Sequence, residues 1–227
     1  MTSFNKKVVV IIPAFNEGKT IGRVISEVNQ RNYDVIVVDD GSTDQTSQVA
    51  KELGATVVRH PANKGYEIAL SAGLSAAADM RFDIAITFDA DGQFNPDDLL
   101  LFTQRQKLEG SDLVIGVRNR FNRNIEYALR LYGSYRFSIL DPLCGLKLYR
   151  LSSISSLMPF DRLNLAGMEM AFKIAVSGGK ISQIPIEVMD REDVSRFGSA
   201  LIGTLKLMRV LIVAIKVFGL RRSVHDR

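Results

Sequence analysis

A chain of 227 residues with 46% hydrophobic content is long enough to bury one large core without covalent staples. One cysteine, Cys144, and two separated histidines, His60 and His225, exclude a disulfide framework and a zinc cluster, so any metal must be held by oxygen. The net charge of +4 belongs to the C-terminus: residues 200–227 carry six Lys or Arg against one Asp, leaving 23 positive and 24 negative charges on residues 1–199, which argues against a nucleic-acid binder with a basic footprint over its whole fold.

Met1 to Lys7 leads directly into a strand-like run and lacks a long apolar segment with a small-residue cleavage site, so no signal peptide is expected. Val8–Ile12 is a β-branched run stopped by Pro13 and predicts a central parallel strand. Ile21, Val24, Ile25 and Val28 recur at helical spacing after the turn Ala14–Glu17. The unit then repeats: a strand over Val35–Val38, the polar turn Asp39–Asp44, and a helix through Val49, Ala50 and Leu53 that stops at Gly54. A third strand at Ala55–Val58 precedes Asn63-Lys64-Gly65, which opens an alanine-rich helix to Asp79.

The next strand, Ile84–Ile86, runs into the acidic stretch Thr87–Phe94, and Pro96-Asp97-Asp98 suits the start of the helix through Leu99–Phe102. Asp89 and Asp91 leave the end of this strand together. In an irregular turn both can converge on one hard cation shared with a substrate pyrophosphate, whereas the bland alternative is a solvated acidic turn. After the strand Leu113–Gly116, residues 118–140 mix five arginines with aromatics and predict a surface-lying segment around a helix. Asp141–Arg150 gives a turn running into a strand, Gly167–Val176 a helix carrying Glu169, and Lys180–Val188 the last strand before a charged loop, 190–199.

Strands alternating with helices indicate an α/β fold with a mainly parallel, Rossmann-like sheet flanked by helices, and such sheets bind ligands outside the carboxyl ends of their strands. No G-x-G-x-x-G or Walker pattern is present, which argues against a nicotinamide dehydrogenase or a P-loop enzyme. Residues 1–199 are expected to form this domain, and 200–227 a C-terminal basic helix and tail. At about 100° per residue, Lys206, Arg209 and Lys216 fall in one arc of about 80°, with Leu205, Leu207, Met208, Leu211, Ile212 and Ile215 mostly elsewhere. Charges at the centre of a span cost roughly 2.5–3.5 kcal/mol each, so this amphipathic helix is expected to lie on an anionic membrane surface rather than cross it. The alternative is a helix packed on the sheet or on a second subunit of a homo-oligomer.

Four polar clusters meet at one edge: Asn16-Glu17, Asp39-Asp40, Asn63-Lys64 and Asp89-Asp91-Gln93. Together with the runs Ile12–Glu17, Val38–Asp44 and Asp89–Gln93, the pattern resembles the family 2 inverting glycosyltransferases with the GT-A fold. Asp141–Arg150, Glu169, Ile184-Pro185-Ile186 and Arg196–Ser199 are similar to the dolichol-phosphate mannose synthase and polyprenyl-phosphate glucosyltransferase branch. The resemblance implies a nucleotide-sugar donor, with Pro13, Phe15, Glu17, Val38 and Asp40 around the nucleoside, and Asn16, Lys64 and Ala90 completing the donor contacts. It implies that Asp89, Asp91 and Gln93 serve the diphosphate and a Mg²⁺ or Mn²⁺ ion, that Asp141 lines the sugar pocket, and that Arg118 and Arg196 hold phosphate. Tyr66 and Glu67 stand where relatives commonly have small or basic residues, which bears on donor preference.

The function expected from this reading is transfer of a hexose from a GDP- or UDP-sugar to a polyprenyl or dolichyl phosphate on the cytoplasmic face of a membrane, the protein being peripheral. A lipid monophosphate is already anionic, so it attacks the anomeric carbon with little help from a base, whereas a sugar hydroxyl needs one. Replacing Arg118 or Arg196 with Ala is expected to reduce turnover far more than stability. Competing readings are transfer to a soluble or glycan hydroxyl, and a catalytically silent nucleotide-sugar binding module, which would bind donor but form no product.

Overall fold

The computed structural model describes residues 6–121, 123–159, 163–189 and 200–220. Seven strands form one sheet in the order β3-β2-β1-β4-β6-β5-β7, with β1 at Val8–Ala14, β2 at Asp34–Asp39, β3 at Thr56–Arg59, β4 at Ile84–Thr87, β5 at Leu113–Arg118, β6 at Lys147–Arg150 and β7 at Ile181–Ile186. β1 pairs in parallel with β2 and β4, β2 with β3, and β5 with β7. β6 lies antiparallel between β4 and β5. This GT-A-like arrangement is the α/β fold expected from the alternation of elements. The chain winds one way from β1 to β3 and the other way from β4, so the carboxyl end of β1 and β4 is the switch point where such sheets take ligands.

The apolar strands are buried because helices cover both faces. α1 (Ile21–Asn29) seals its stripe of Ile21, Val24, Ile25 and Val28 against the core. α2 (Thr46–Glu52) and α3 (Tyr66–Asp79) follow β2 and β3. α3 sits so close to the sheet that a Cβ at Gly73 would stand 2.4 Å from Ile11 Cγ2 and 3.0 Å from Val38 Cγ2. α4 (Asp98–Glu109), α5 (Asn124–Phe137), α6 (Leu151–Ile154), α7 (Glu169–Val176) and α8 (Ala200–Phe218) complete the layers.

Two local expectations need correction. β1 continues through Pro13 to Ala14. Ile11 O accepts from Phe88 on the β4 side while Ala14 O accepts from Asp40 on the β2 side, so the N–H that Pro13 lacks would have pointed where pairing with β4 has already ended at Thr87. The arginine-rich segment is not merely superficial. Within α5, Leu129, Tyr132 and Phe137 are buried, and Phe137 stacks on Phe172 with ring centroids 4.2 Å apart. His60 is buried and pairs with Asp40 across the next turn.

α8 runs beside α5. The Tyr132 hydroxyl donates to Ala214 O and Gly219 O, each at 3.0 Å, and Arg136 Nε donates to Phe218 O at 3.0 Å. Leu207, Val210 and Ala214 are buried on this inner side. The outer side carries Ile202, Leu205, Met208, Ile212 and Val217 together with exposed Lys206, Arg209 and Lys216, so apolar and cationic residues share one face rather than dividing the helix between them. Among the described residues no helix is long and apolar enough to cross a membrane.

Candidate active site

The turns after β1 and β2 are fastened to each other. The Asn16 and Glu17 amides donate to Ser42 Oγ at 2.9 Å and Thr46 Oγ1 at 2.8 Å. In return the Thr43 amide donates to Asn16 Oδ1 at 2.8 Å, and the Gly18 amide to Asp44 Oδ2 at 2.9 Å. Asn16 takes a φ of 54° to do this, a left-handed conformation that Asn tolerates better than most residues. Its carboxamide therefore organises the donor-side turns. Asp39 is fully buried and accepts from the Ser42 amide at 2.8 Å and from the Ser47 hydroxyl. Burial pushes its carboxyl up, but the bonds from Ser42 and Ser47 with the charge of Arg59 outweigh burial and hold it below the ordinary value.

Asp40 builds the third turn. Its Oδ1 accepts from the Lys64 amide at 3.0 Å and lies 2.7 Å from His60 Nδ1, while Oδ2 accepts from the Gly65 amide at 2.7 Å. Two backbone donors and an imidazole fix the rotamer of the acid expected at the nucleoside. Pro13 and Val38 are buried beneath these turns, Phe15 is half-buried, the Lys64 side chain is exposed, and Glu17 accepts from Thr20 Oγ1 at 2.9 Å. The residues expected around a nucleoside thus lie at the carboxyl ends of β1, β2 and β3, along one edge of the sheet.

Asp89 and Asp91 emerge from β4 between these turns and β6. Because β6 is antiparallel, the turn preceding it, 141–146, lies at the same edge as the carboxyl ends of β4 and β5. Thr87 Oγ1 donates to Gly145 O at 2.6 Å, and a Cβ on Gly145 would stand 2.5 Å from Asp89 Oδ2. Glycine lets the turn press on the carboxylate and fix its direction. Ala90 and Asp91 are buried, and Asp91 Oδ1 accepts from the Gln93 amide at 3.1 Å. The Gln93 carboxamide donates to Met189 O at 3.2 Å, which ties this turn to the strand leading toward residues 190–199.

Among the described residues no three acidic, histidine or cysteine side chains cluster closely enough to enclose a metal ion. Two carboxylates at the mouth of a strand suit a hard divalent cation that takes its remaining oxygens from a diphosphate and water. The oxygen chemistry of the two aspartates suits such an ion, and the glycine-shaped cradle restricts the direction of Asp89.

Arg118 ends β5 and forks onto Asp141, with Nε 2.7 Å from Oδ2 and Nη2 3.0 Å from Oδ1. Nη2 also lies 3.2 Å from Glu126 of α5. Burial alone would lower the pKa of the guanidinium, but Asp141 overrides it and drives the value upward. Asp141 is therefore the counter-ion that orients Arg118 in the structure. Arg118 and Arg130 approach the ring of Phe121, their guanidinium carbons 5.1 Å and 5.4 Å from its centroid. Both line a cleft of about 490 Å³ with Val117, Asn119, Pro185 and Glu187. Arg196 lies outside the described residues.

Sequence reasoning passed over Lys147 and the burial of Glu67. Two signals were available: a lysine between Leu146 and Leu148 in a buried strand, and a glutamate in helical phase with the buried Leu70, Leu74 and Ala77. Glu169 caps its own approach loop, accepting from the Leu163 amide at 3.0 Å and pairing with Lys173 at 2.8 Å. Cys144 is buried, and burial first, then Asp141, push its thiol up to about 12. It is a packed side chain, as expected for a free cysteine in a core.

A doubly wound sheet with acidic turns gathered at its carboxyl edge is the GT-A-like arrangement of a glycosyltransferase. The chain belongs to glycosyl transferase family 2, whose model matches residues 9–158. It is 28% identical to the UDP-N-acetylglucosamine–dolichyl-phosphate N-acetylglucosaminyltransferase of Methanococcus voltae, over 92% of this chain and 96% of the relative. It is 27% identical to the undecaprenyl-phosphate mannosyltransferase of Micrococcus luteus, over 82% and 85%. Among solved structures, glucosyl-3-phosphoglycerate synthase of Mycobacterium tuberculosis with phosphoglyceric acid superposes with a TM-score of 0.76 at 25% identity, over 96% of this chain and 82% of that one. Further crystal structures of that synthase contain UDP with Mn²⁺ or Mg²⁺, the two ions expected from the sequence.

Proposed function

We propose that this enzyme moves a hexose from a nucleoside diphosphate sugar to a polyprenyl phosphate, working as a peripheral protein on the cytoplasmic face of a membrane. The observation that carries the acceptor is the cleft lined by Arg118 and Arg130, both of which also approach the Phe121 ring. Arg118 is held by Asp141, one turn from the carboxylate of Asp89. Arg130 has no hydrogen-bond acceptor among the described residues, so its fork is available to a phosphate. Arg118 supplies oriented charge beside it, and Arg196 is a further phosphate ligand in this reading.

The residues then divide the work. Asp40, Glu17, Phe15 and their neighbours hold the nucleoside, and Asp89 and Asp91, with Gln93 at their side, hold Mg²⁺ or Mn²⁺. When bound, that ion draws negative charge off the departing diphosphate. An acceptor phosphate oxygen forms the new bond to the anomeric carbon as the bond to the diphosphate oxygen breaks, and the electron pair leaves with that oxygen. The displacement is in line and inverts the anomeric centre. No proton has to be removed from a phosphate that is already anionic, which suits a cleft lined by Arg118 and Arg130. In this reading the mixed apolar and cationic outer face of α8 rests on the anionic bilayer that supplies the lipid.

A second reading, a soluble acceptor, is favoured by the likeness to a synthase that binds phosphoglyceric acid. One experiment separates the two: product formation from GDP- and UDP-sugars with Mn²⁺ or Mg²⁺, offered a short polyprenyl phosphate, phosphoglycerate or free sugars. Lipid-dependent product supports the proposal. Product with a soluble acceptor alone overturns it, as does full turnover of the doubly substituted Asp89→Asn, Asp91→Asn protein in chelator.

A further inference from the structure

Gly167 is gripped from both sides. Its N–H donates to Glu67 Oε1 at 2.5 Å, and its carbonyl accepts from Lys147 Nζ at 3.2 Å. The Tyr66 ring closes a third side, since a Cβ on Gly167 would meet Tyr66 Cε1 at 3.0 Å. The surrounding loop is held in an unusual shape: Asn164, Ala166 and Gly167 have φ values of 52°, 53° and 82°. An alanine in that region lies in a sparsely populated conformation and persists only when its surroundings enforce it. At its other end the loop is pinned by the bond from the Leu163 amide to Glu169.

Lys147 carries the grip toward the site. Its ammonium also donates to Cys144 O, within the turn whose Gly145 presses on Asp89. It lies within electrostatic reach of Asp141, Glu67 and Asp89. Two loops distant in sequence, 141–146 and 163–168, thus meet on one buried cation.

We propose that Glu67 and Lys147 are positioning residues for sugar transfer: clamping Gly167 between them, they hold the 163–168 loop and the 141–146 turn in register with Asp89. The inference rests on the transferase activity of the family and not on the identity of the acceptor. Stability alone would not place Glu67 here. It is 4% exposed, and its Oε2 has no partner among the described residues, a costly state for a buried carboxyl. A leucine at that point of α3 would extend the apolar stripe of Leu70 and Leu74. Residues kept at a cost to stability are characteristic of functional sites.

The test compares Glu67→Leu, which removes the acceptor, with Glu67→Gln, which keeps a carbonyl oxygen for the Gly167 amide. Three quantities are read on the full chain: hydrogen exchange across 163–168, the Kd for UDP with Mn²⁺, and kcat with the best donor measured as nucleoside diphosphate release. Glu67→Leu is expected to accelerate exchange and lower kcat by about ten- to a hundredfold, with Kd within about threefold of the parent. Glu67→Gln is expected to restore most of both. Unchanged exchange in Glu67→Leu, kcat within about twofold of the parent, or equal losses in the two variants would overturn the clamp. Should Glu67→Leu fail to fold, Lys147→Met against Lys147→Arg makes the same comparison from the carbonyl side, with rescue by Arg supporting the proposal and none overturning it. A parent protein without turnover on any acceptor would speak against the assigned substrate, while exchange would still decide whether the clamp exists.

Discussion

Arg118 and Asp141 meet as a two-pronged pair, Nε to Oδ2 at 2.7 Å and Nη2 to Oδ1 at 3.0 Å, with the Arg118 backbone amide donating to Oδ2 at 3.1 Å. Asp141 is 1% exposed. Removing either partner leaves the other charged and buried. Asp141→Ala is therefore expected to destabilise the fold by about 3–5 kcal/mol, read as a lower urea midpoint, and Arg118→Ala to fall in the same direction. The loss of turnover expected for Arg118→Ala is thus joined by a loss of stability.

Gly145→Ala tests the cradle around Asp89. The added methyl group would stand within 2.5–2.7 Å of both carboxylate oxygens, so Asp89 must turn away from its present direction. Affinity for Mn²⁺ in the presence of UDP is expected to fall about 10–100-fold, as when supports of a metal ligand are altered. Electron paramagnetic resonance of free Mn²⁺ measures it.

Burial is the main cause that raises the Glu67 carboxyl from 4.5 to about 7, with Glu169 adding to it and the Gly167 amide and Lys147 opposing. Between those pH values the folded chain holds a proton that the unfolded chain has released, so this group makes stability fall as pH rises through the window. Glu67→Gln removes the ionisation. It is expected to raise the melting temperature at pH 8, by an amount corresponding to at most about 3 kcal/mol, and to leave it nearly unchanged at pH 4.5. Melting curves at the two pH values check the sign.

The outer face of α8 offers a test of membrane docking that leaves the catalytic residues intact. Lys206, Arg209 and Lys216 are exposed, and each cation near an anionic bilayer contributes about 1 kcal/mol. Reversing all three to Glu is expected to weaken flotation with vesicles containing anionic lipid by at least about a hundredfold, with melting unchanged. Binding of the parent that survives high salt undiminished would contradict the electrostatic part of this account.

Much of the fold was legible because a parallel α/β sheet writes itself in local terms. Val8–Ile12 and Val35–Val38 are continuous apolar runs since both of their faces are covered, and Ile21, Val24, Ile25 and Val28 keep the helical period since one face of α1 is buried. The acidic turns follow from the same order, because each polar cluster immediately succeeds a strand. The roles of Asn16 and His60 were not legible, because a side chain's partner in another turn leaves no trace in its own neighbourhood.

The sequence by itself therefore determined the strand and helix alternation, the family resemblance and the acids at the ends of β2 and β4. Only the tertiary structure decided that β6 runs against its neighbours, and strand direction follows from long-range pairing that no local pattern encodes. That reversal carries Asp141, Gly145 and Lys147 to the edge where Asp89 emerges. It turns Arg118 into half of a buried pair, and it brings Glu67 and Lys147 to opposite sides of Gly167, a contact between residues 100 and 20 positions apart in the chain.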